Sequence, residues 1–168
     1  MLLIYTGEGK GKTSAAVGQA VRAYGHGYSV VFVQFIKSNV QTGEQKVLRQ
    51  LLGDNFFIGG LGFCRHSEEK QIHKARALAT LEFVLTKMDQ ELFMLVADEI
   101  LYALAADLLT RTEIEKILHK ARKNNVHLVF TGRGLPDFLK KEADLISEIN
   151  PIKHPFTKGI KAQKGIEY

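Results

Sequence analysis

Nine residues near the start of the chain, Thr6-Gly7-Glu8-Gly9-Lys10-Gly11-Lys12-Thr13-Ser14, limit the possible folds more than any other feature of the sequence. They follow a short apolar run at residues 2–5 and precede an alanine-rich stretch (Ala15, Ala16, Ala20, Ala23). Glycine permits backbone conformations in which successive N–H groups converge on one concavity, a nest for phosphate oxygens. A helix starting directly behind the loop aims its positive end at the same point. In this reading Gly7, Glu8, Gly9, Lys10, Gly11, Lys12, Thr13 and Ser14 bind nucleotide phosphates, with the Lys12 ammonium above them and the Thr13 hydroxyl on Mg2+. The plainer alternative is a glycine-rich turn with exposed lysines. The common pattern G-x-x-x-x-G-K-[ST] asks for glycine where this chain has Thr6, so the loop is one residue short. Glycine is expected where backbone and phosphate approach closely, which makes this a variant loop and not a degraded one.

Three further runs, residues 30–36, 92–97 and 126–131, are almost unbroken apolar, as in strands buried on both faces of a parallel sheet. Helical patterns lie between them. Ser67 before Glu68 and Glu69 reads as an N-cap with an acidic first turn, followed by an apolar stripe of Leu78, Leu81, Leu85 and Met88. Thr112 with Glu115 forms a capping box ahead of a buried face of Ile114, Ile117, Leu118 and Ala121, and Asn124-Asn125 stops that helix. A shorter helix is expected over residues 135–142, with Pro136 near its first turn, and a last strand over residues 145–149. Strands alternating with helices imply βαβ units with right-handed crossovers. The expected fold class is α/β, P-loop NTPase-like (RecA-like), a mainly parallel sheet flanked by helices in a single domain over residues 1–168.

Composition narrows the setting. With 168 residues, 45% hydrophobic and 24% charged, the chain suits one globular domain burying about 70% of its unfolded surface. A lone cysteine, Cys64, excludes an internal disulfide framework and fits a reducing compartment. No run approaches the ~18 apolar residues of a membrane span, and the first residues lack the basic region of a signal peptide. The expectation is a cytoplasmic protein with no membrane association. The net charge of +5 is concentrated at residues 151–168, with four lysines against one glutamate. Such a bias suits a polyanionic ligand or is a solvated surface, and the tail by itself reads as a frayed terminus.

Two more elements fall at expected strand ends. Leu95-Val96-Ala97 leads into Asp98-Glu99, two carboxylates on the edge where parallel sheets bind ligands, suited to Mg2+ directly or through water; a helix cap is the alternative. Thr131-Gly132-Arg133-Gly134 ends the next strand, and Arg133 is either a phosphate clamp or a solvent-facing turn residue. Arg22 and Cys64 read as surface or packing residues, and His154 is the one histidine placed to neighbour a ligand.

Taken together, these pieces resemble the ATP:corrinoid adenosyltransferases built on a P-loop domain. The matching stretches are residues 6–14, Arg22-Ala23-Tyr24-Gly25-His26-Gly27, Val33-Gln34-Phe35-Ile36-Lys37, Gly62-Phe63, Asp98-Glu99 and Thr131-Gly132-Arg133. The tail matches through Lys153-His154-Pro155 and Gly159-Ile160-Lys161-Ala162-Gln163-Lys164-Gly165-Ile166-Glu167-Tyr168. The resemblance implies transfer of the 5′-deoxyadenosyl group of ATP to the Co(I) of a reduced corrinoid, cobalamin or a precursor, with release of triphosphate. It implies ATP held in reverse relative to ordinary P-loop enzymes, Mg2+ or Mn2+ in its place, a reductase supplying electrons, a homodimer, and the tail packed at the active site. Lys12, Lys10 and Phe63 become the catalytic set, Arg133 joins the ATP-binding loop, and Thr13, Glu99 and Asp98 become the metal set. Phe63 matches the first of an aromatic pair that displaces the corrinoid's lower axial ligand; core packing is its alternative. Arg65 stands where family members carry tryptophan, a residue this chain lacks. The family's basic arm ahead of the first strand has no counterpart before Leu2, so any lid is expected from elsewhere.

Two other functions use the same features. A P-loop phosphotransferase or ATPase would cleave the terminal phosphoanhydride. A nucleic-acid-binding module would exploit the basic tail, but the lysines do not interleave with aromatics for stacking, and the expectation is no nucleic acid.

Overall fold

The computed structural model describes residues 1–38, 42–64 and 66–166, with Phe156 by its backbone alone. Six strands form the sheet: β1 (Leu2–Thr6), β2 (Val30–Gln34), β3 (Phe56–Ile58), β4 (Met94–Asp98), β5 (His127–Thr131) and β6 (Leu145–Glu148). Their order is β3-β2-β4-β5-β1-β6, and every pairing is parallel. Among the described residues six α-helices flank it: α1 (Lys12–Gly25), α2 (Gly43–Leu52), α3 (Lys70–Lys87), α4 (Ile100–Ala105), α5 (Arg111–Lys123) and α6 (Asp137–Glu142). The P-loop NTPase-like reading of the sequence is the observed fold.

Strand alternation makes two cores from one sheet. Val31, Val33, Leu95 and Ala97 join a core with α3, α4, α5 and α6, while Val30, Phe32, Met94 and Val96 join the other with α1 and α2. All five residues of β2 and all five of β4 are buried, as expected of strands covered on both faces. At the sheet's edge, β6 leaves Leu145 and Ile146 exposed. α1 meets the sheet through Ala16, Ala20 and Ala23, small residues that let its axis approach closely. Among the described residues no helix is long and apolar enough to cross a membrane.

Several local expectations shift. The capping box sits two residues earlier, at Thr110 and Glu113, because buried Leu108 and Leu109 pin the chain immediately before it. Ser67, Glu68 and Glu69 form a single 3-10 turn, and α3 starts behind them without a side-chain cap. The buried face of α3 runs His73, Ala77, Thr80, Leu81 and Val84, which leaves Leu78 exposed. Pro136 is the N-cap of α6, so that helix begins at Asp137. The elements α2, β3 and α4 had no clear sequence signal: two are too short to display a period, and α2 opens on glycine in polar sequence.

Candidate active site

β1 lies between β5 and β6, and its carboxyl end feeds the glycine loop into α1. The three glycines there meet two different demands. A Cβ on Gly7 would sit 2.5 Å from the Ile149 carbonyl oxygen, and one on Gly9 would sit 2.6 Å from the same atom. The Gly9 N–H donates to that oxygen at 2.7 Å. Glycine at 7 and 9 therefore admits the main chain leaving β6, a demand separate from the approach of phosphate. It also removes the Gly9 amide from the free donors of the loop. Gly11 has open space around it, and its φ of 117° is what requires glycine.

Lys12 is buried, and its ammonium crosses the loop to the carbonyls of Gly7 (2.8 Å) and Gly9 (2.6 Å). Burial pushes its pKa down and Arg133 adds to the fall, against the opposing pull of Glu99, Glu8 and Asp98. Lys10 extends outward and donates to the Ile166 carbonyl, joining loop to tail.

Asp98 ends β4 with no exposure, and both carboxylate oxygens are engaged. The hydroxyls of Thr13 (2.9 Å) and Thr131 (2.7 Å) donate to Oδ1, and Gln34 Nε2 donates to Oδ2 (3.1 Å). Thr131 spans two residues, since its oxygen also accepts the Glu99 N–H at 2.8 Å. Glu99 adopts a left-handed φ of 61° at the N-cap position of α4, yet its side chain makes no capping bond. Burial raises its pKa, the neighbouring Asp98 charge raises it further, and Lys12 acts against both. Thr13, Asp98 and Glu99 thus gather hard oxygen donors beside the loop, the ligand type a magnesium ion takes. Among the described residues no group of three His, Cys, Asp or Glu side chains is disposed to hold a metal ion. Asp98 and Glu99 would need the Thr13 hydroxyl, nucleotide oxygens and water to complete a shell.

One pocket of about 760 Å3 collects residues 8–14, Phe63, Glu99 and Arg133. Gly7 and Asp98 stand behind that surface, under the Ile149 main chain and the Thr13 side chain. Arg133 faces the loop but is paired there, its Nη1 2.8 Å from Glu8 Oε2 and its Nη2 donating to the Glu8 carbonyl at 3.3 Å. Phe63 is 54% exposed and meets the Tyr102 ring edge-to-face at 5.0 Å, so it is not a core residue. The chain reaches it after Gly60, where a Cβ would lie 2.1 Å from the Ile36 main chain and any side chain would push the segment outward. His154, Gly165 and Ile166 bring the tail to the pocket rim. Arg65 falls outside the described residues, as do Glu167 and Tyr168 at the end of the matched tail. Arg22 is exposed, and Cys64 is half-buried against the His66 carbonyl.

Sequence reasoning gave no role to Thr131, Lys37, Glu44 or Tyr102. A hydroxyl closing an otherwise apolar strand was the available signal for Thr131. Lys37 and Glu44 form the opposite wall as an ion pair at 2.6 Å, which with burial opposing leaves the Glu44 pKa below its ordinary value. Nothing in the periodicity marked Tyr102.

The similarities of the whole chain agree with this geometry. The family profile described as ATP:corrinoid adenosyltransferase BtuR/CobO/CobP matches residues 1–168. The corrinoid adenosyltransferase CobA of Salmonella typhimurium is 38% identical over 169 residues, covering 100% of this chain and 85% of the relative. A corrinoid adenosyltransferase of Sinorhizobium is 35% identical over 175 residues, with 100% and 80% covered, and that of Escherichia coli K12 is 36% identical over 169, with 100% and 85% covered. Among solved structures, the flagellar accessory protein FlaH of Methanocaldococcus jannaschii superposes with a TM-score of 0.57 at 13% identity, covering 88% of this chain and 69% of FlaH, a likeness of fold alone. With the profile matched from end to end and the loop, both strand-end elements and the tail around one pocket, this chain belongs to the ATP:corrinoid adenosyltransferase family.

Proposed function

We infer that this protein transfers the 5′-deoxyadenosyl group of ATP to the cobalt of a reduced corrinoid, releasing inorganic triphosphate. The observation that carries the reading is the joining of an end-to-end family match to a pocket where the short glycine loop meets an exposed aromatic, Phe63. The electron pair of Co(I) forms the bond to C5′, and the C5′–O bond breaks with its pair leaving on the triphosphate. Co(I) carries no proton, so the protein needs no general base.

What the chain must supply is a grip on the departing charge and an aligned carbon. Lys12, Lys10, Arg133 and the free amides of the loop bind the triphosphate, with the Lys12 ammonium exchanging its carbonyl partners for phosphate oxygens. Thr13, Asp98 and Glu99 are the residues that would hold Mg2+, or Mn2+ in its place. A bound divalent ion neutralises charge on the triphosphate. Phe63 presents its exposed ring to the corrinoid, and the tail of residues 151–168 borders the nucleotide within a single domain. We further place the protein in the cytoplasm as a homodimer that receives its corrinoid reduced by a separate reductase, with no nucleic-acid or membrane partner.

The test is the phosphorus product of an incubation of ATP, Mg2+ and chemically reduced cobalamin. Intact triphosphate with an adenosylcobalamin absorbance spectrum is the expected result; ADP with phosphate would assign the protein to phosphoryl transfer. Phe63→Ala should slow the reaction of Co(II) corrinoid under reductant more than that of pre-reduced Co(I), while leaving the melting temperature unchanged.

A further inference from the structure

Hydrogen bonds at Asp98 continue behind the pocket, away from the reacting groups. Gln34, the last residue of β2, is fully buried and donates Nε2 to Asp98 Oδ2 at 3.1 Å. Gln45, in the first turn of α2, is 1% exposed and donates Nε2 to Gln34 Oε1 (2.9 Å) and to the Ser38 carbonyl (3.1 Å). The orientation of both amides is fixed by their surroundings. Turned over, Gln34 would set its oxygen against a carboxylate, and Gln45 would set its oxygen against two others. The donors therefore run in one direction, from Gln45 through Gln34 to Asp98, and each bond polarises the next. Gln45 Oε1 has no partner among the described residues, so this side chain is held by its two N–H bonds alone.

The relay joins two sides of the pocket. Its near end lies just beneath the pocket floor, where Asp98 also receives the hydroxyl of Thr13, a lining residue of the glycine loop. Its far end is the first turn of α2, whose Gly43 and Glu44 stand in the pocket wall with Lys37. We propose that Gln34 and Gln45 are positioning residues for the transfer reaction: they orient the Asp98 carboxylate for metal-bound ATP and fasten the α2 wall to it, so that binding at the floor is transmitted to the wall. The proposal rests on the reading that Thr13 and Asp98 hold Mg2+.

Its test is calorimetric titration of ATP, with and without Mg2+, into the full chain and into Gln34→Met, Gln45→Met and the double variant. The dissociation constant for ATP with Mg2+ is expected to rise about tenfold in each single variant, the scale on which partners of metal ligands act. It should rise no further in the double variant, and binding of ATP without Mg2+ should be unchanged. Losses that multiply in the double variant, or that appear equally without Mg2+, overturn the relay. A parent chain that responds to Mg2+ beside variants that respond as strongly overturns it too. A parent whose ATP affinity ignores Mg2+ overturns the metal reading and the relay together. Amide exchange in the unmodified chain gives a measurement free of folding defects. The Lys46 N–H, which donates to the Thr42 carbonyl at 3.3 Å, should exchange more slowly with ATP and Mg2+ than with ATP alone. Equal exchange overturns the relay.

Discussion

The glycine loop and the acidic end of β4 stand on the same edge of the sheet, yet they are shaped by opposite means. The loop takes its form from main chain pressed on main chain: Gly7 and Gly9 lie against Ile149 with no room for a Cβ. The acidic end takes its form from side chains, with three hydrogen bonds converging on Asp98 from three different elements. The first arrangement is intolerant of volume, and the second is intolerant of lost polarity. The proposed function is divided along the same line. In that reading the loop offers amides and cations to the triphosphate, while the acidic end offers oxygens to a divalent cation.

Five substitutions probe this division, from the largest expected effect to the smallest. Lys12→Ala removes the cation at the centre of the loop and should lower turnover about 10²-fold, the usual scale for one lost electrostatic donor. Steady-state kinetics at saturating ATP measure it, and near-normal turnover would take Lys12 out of the mechanism. Gly9→Ala should destabilise the fold by about 1–3 kcal/mol through overpacking against Ile149. Gly11→Ala, which meets nothing within 4 Å, should show only the strain of its φ. Denaturant melts of the two variants separate these causes, and equal losses would mean that close approach to β6 does not shape the loop.

Thr131→Val keeps the shape of the acidic end while stripping the bond to Asp98 and the acceptor for the Glu99 N–H. A loss of about 1–3 kcal/mol is expected from the orphaned buried groups. An unchanged melt would show that hydrogen bonding does not govern that region. The smallest effect belongs to Glu99→Gln, and its sign depends on pH. Burial holds the Glu99 pKa above the ordinary 4.5, so the folded protein binds that proton more tightly than the unfolded chain. The resulting stabilisation is complete below the unfolded value and disappears as pH rises through the raised one. The variant should therefore melt higher than the parent at neutral pH, with the gap closing in acid, and its Mg2+ titration should shift to higher concentration. A parent that melts higher at neutral pH would contradict a raised Glu99 pKa.

Legibility in the sequence followed the range of each interaction. The buried face of α5 and the ends of β4 and β5 were readable because period and strand-end chemistry are local signals. Two overlapping capping patterns, Thr110 with Glu113 and Thr112 with Glu115, were locally equivalent, and the burial of Leu108 and Leu109 decided between them. The glycine loop and the strand-end residues at the pocket were legible as motifs, but their present partners were not. Lys12 lies on its own loop carbonyls, Arg133 on Glu8, and Gly9 on a carbonyl from the far end of the chain. The partners of Arg133 and Gly9 depend on which strands stand beside β1, and the amino-acid pattern leaves strand order open. β3 was missed because three residues cannot display an alternation.

The contact of Ile149 with the glycine loop also sets an order of events during synthesis. The loop leaves the ribosome more than a hundred residues ahead of Ile149, the residue behind β6 that braces it. The pairing of β6 with β1 is of the long-range kind that slows folding. A growing chain therefore carries the glycine loop without its brace until Ile149 has been made.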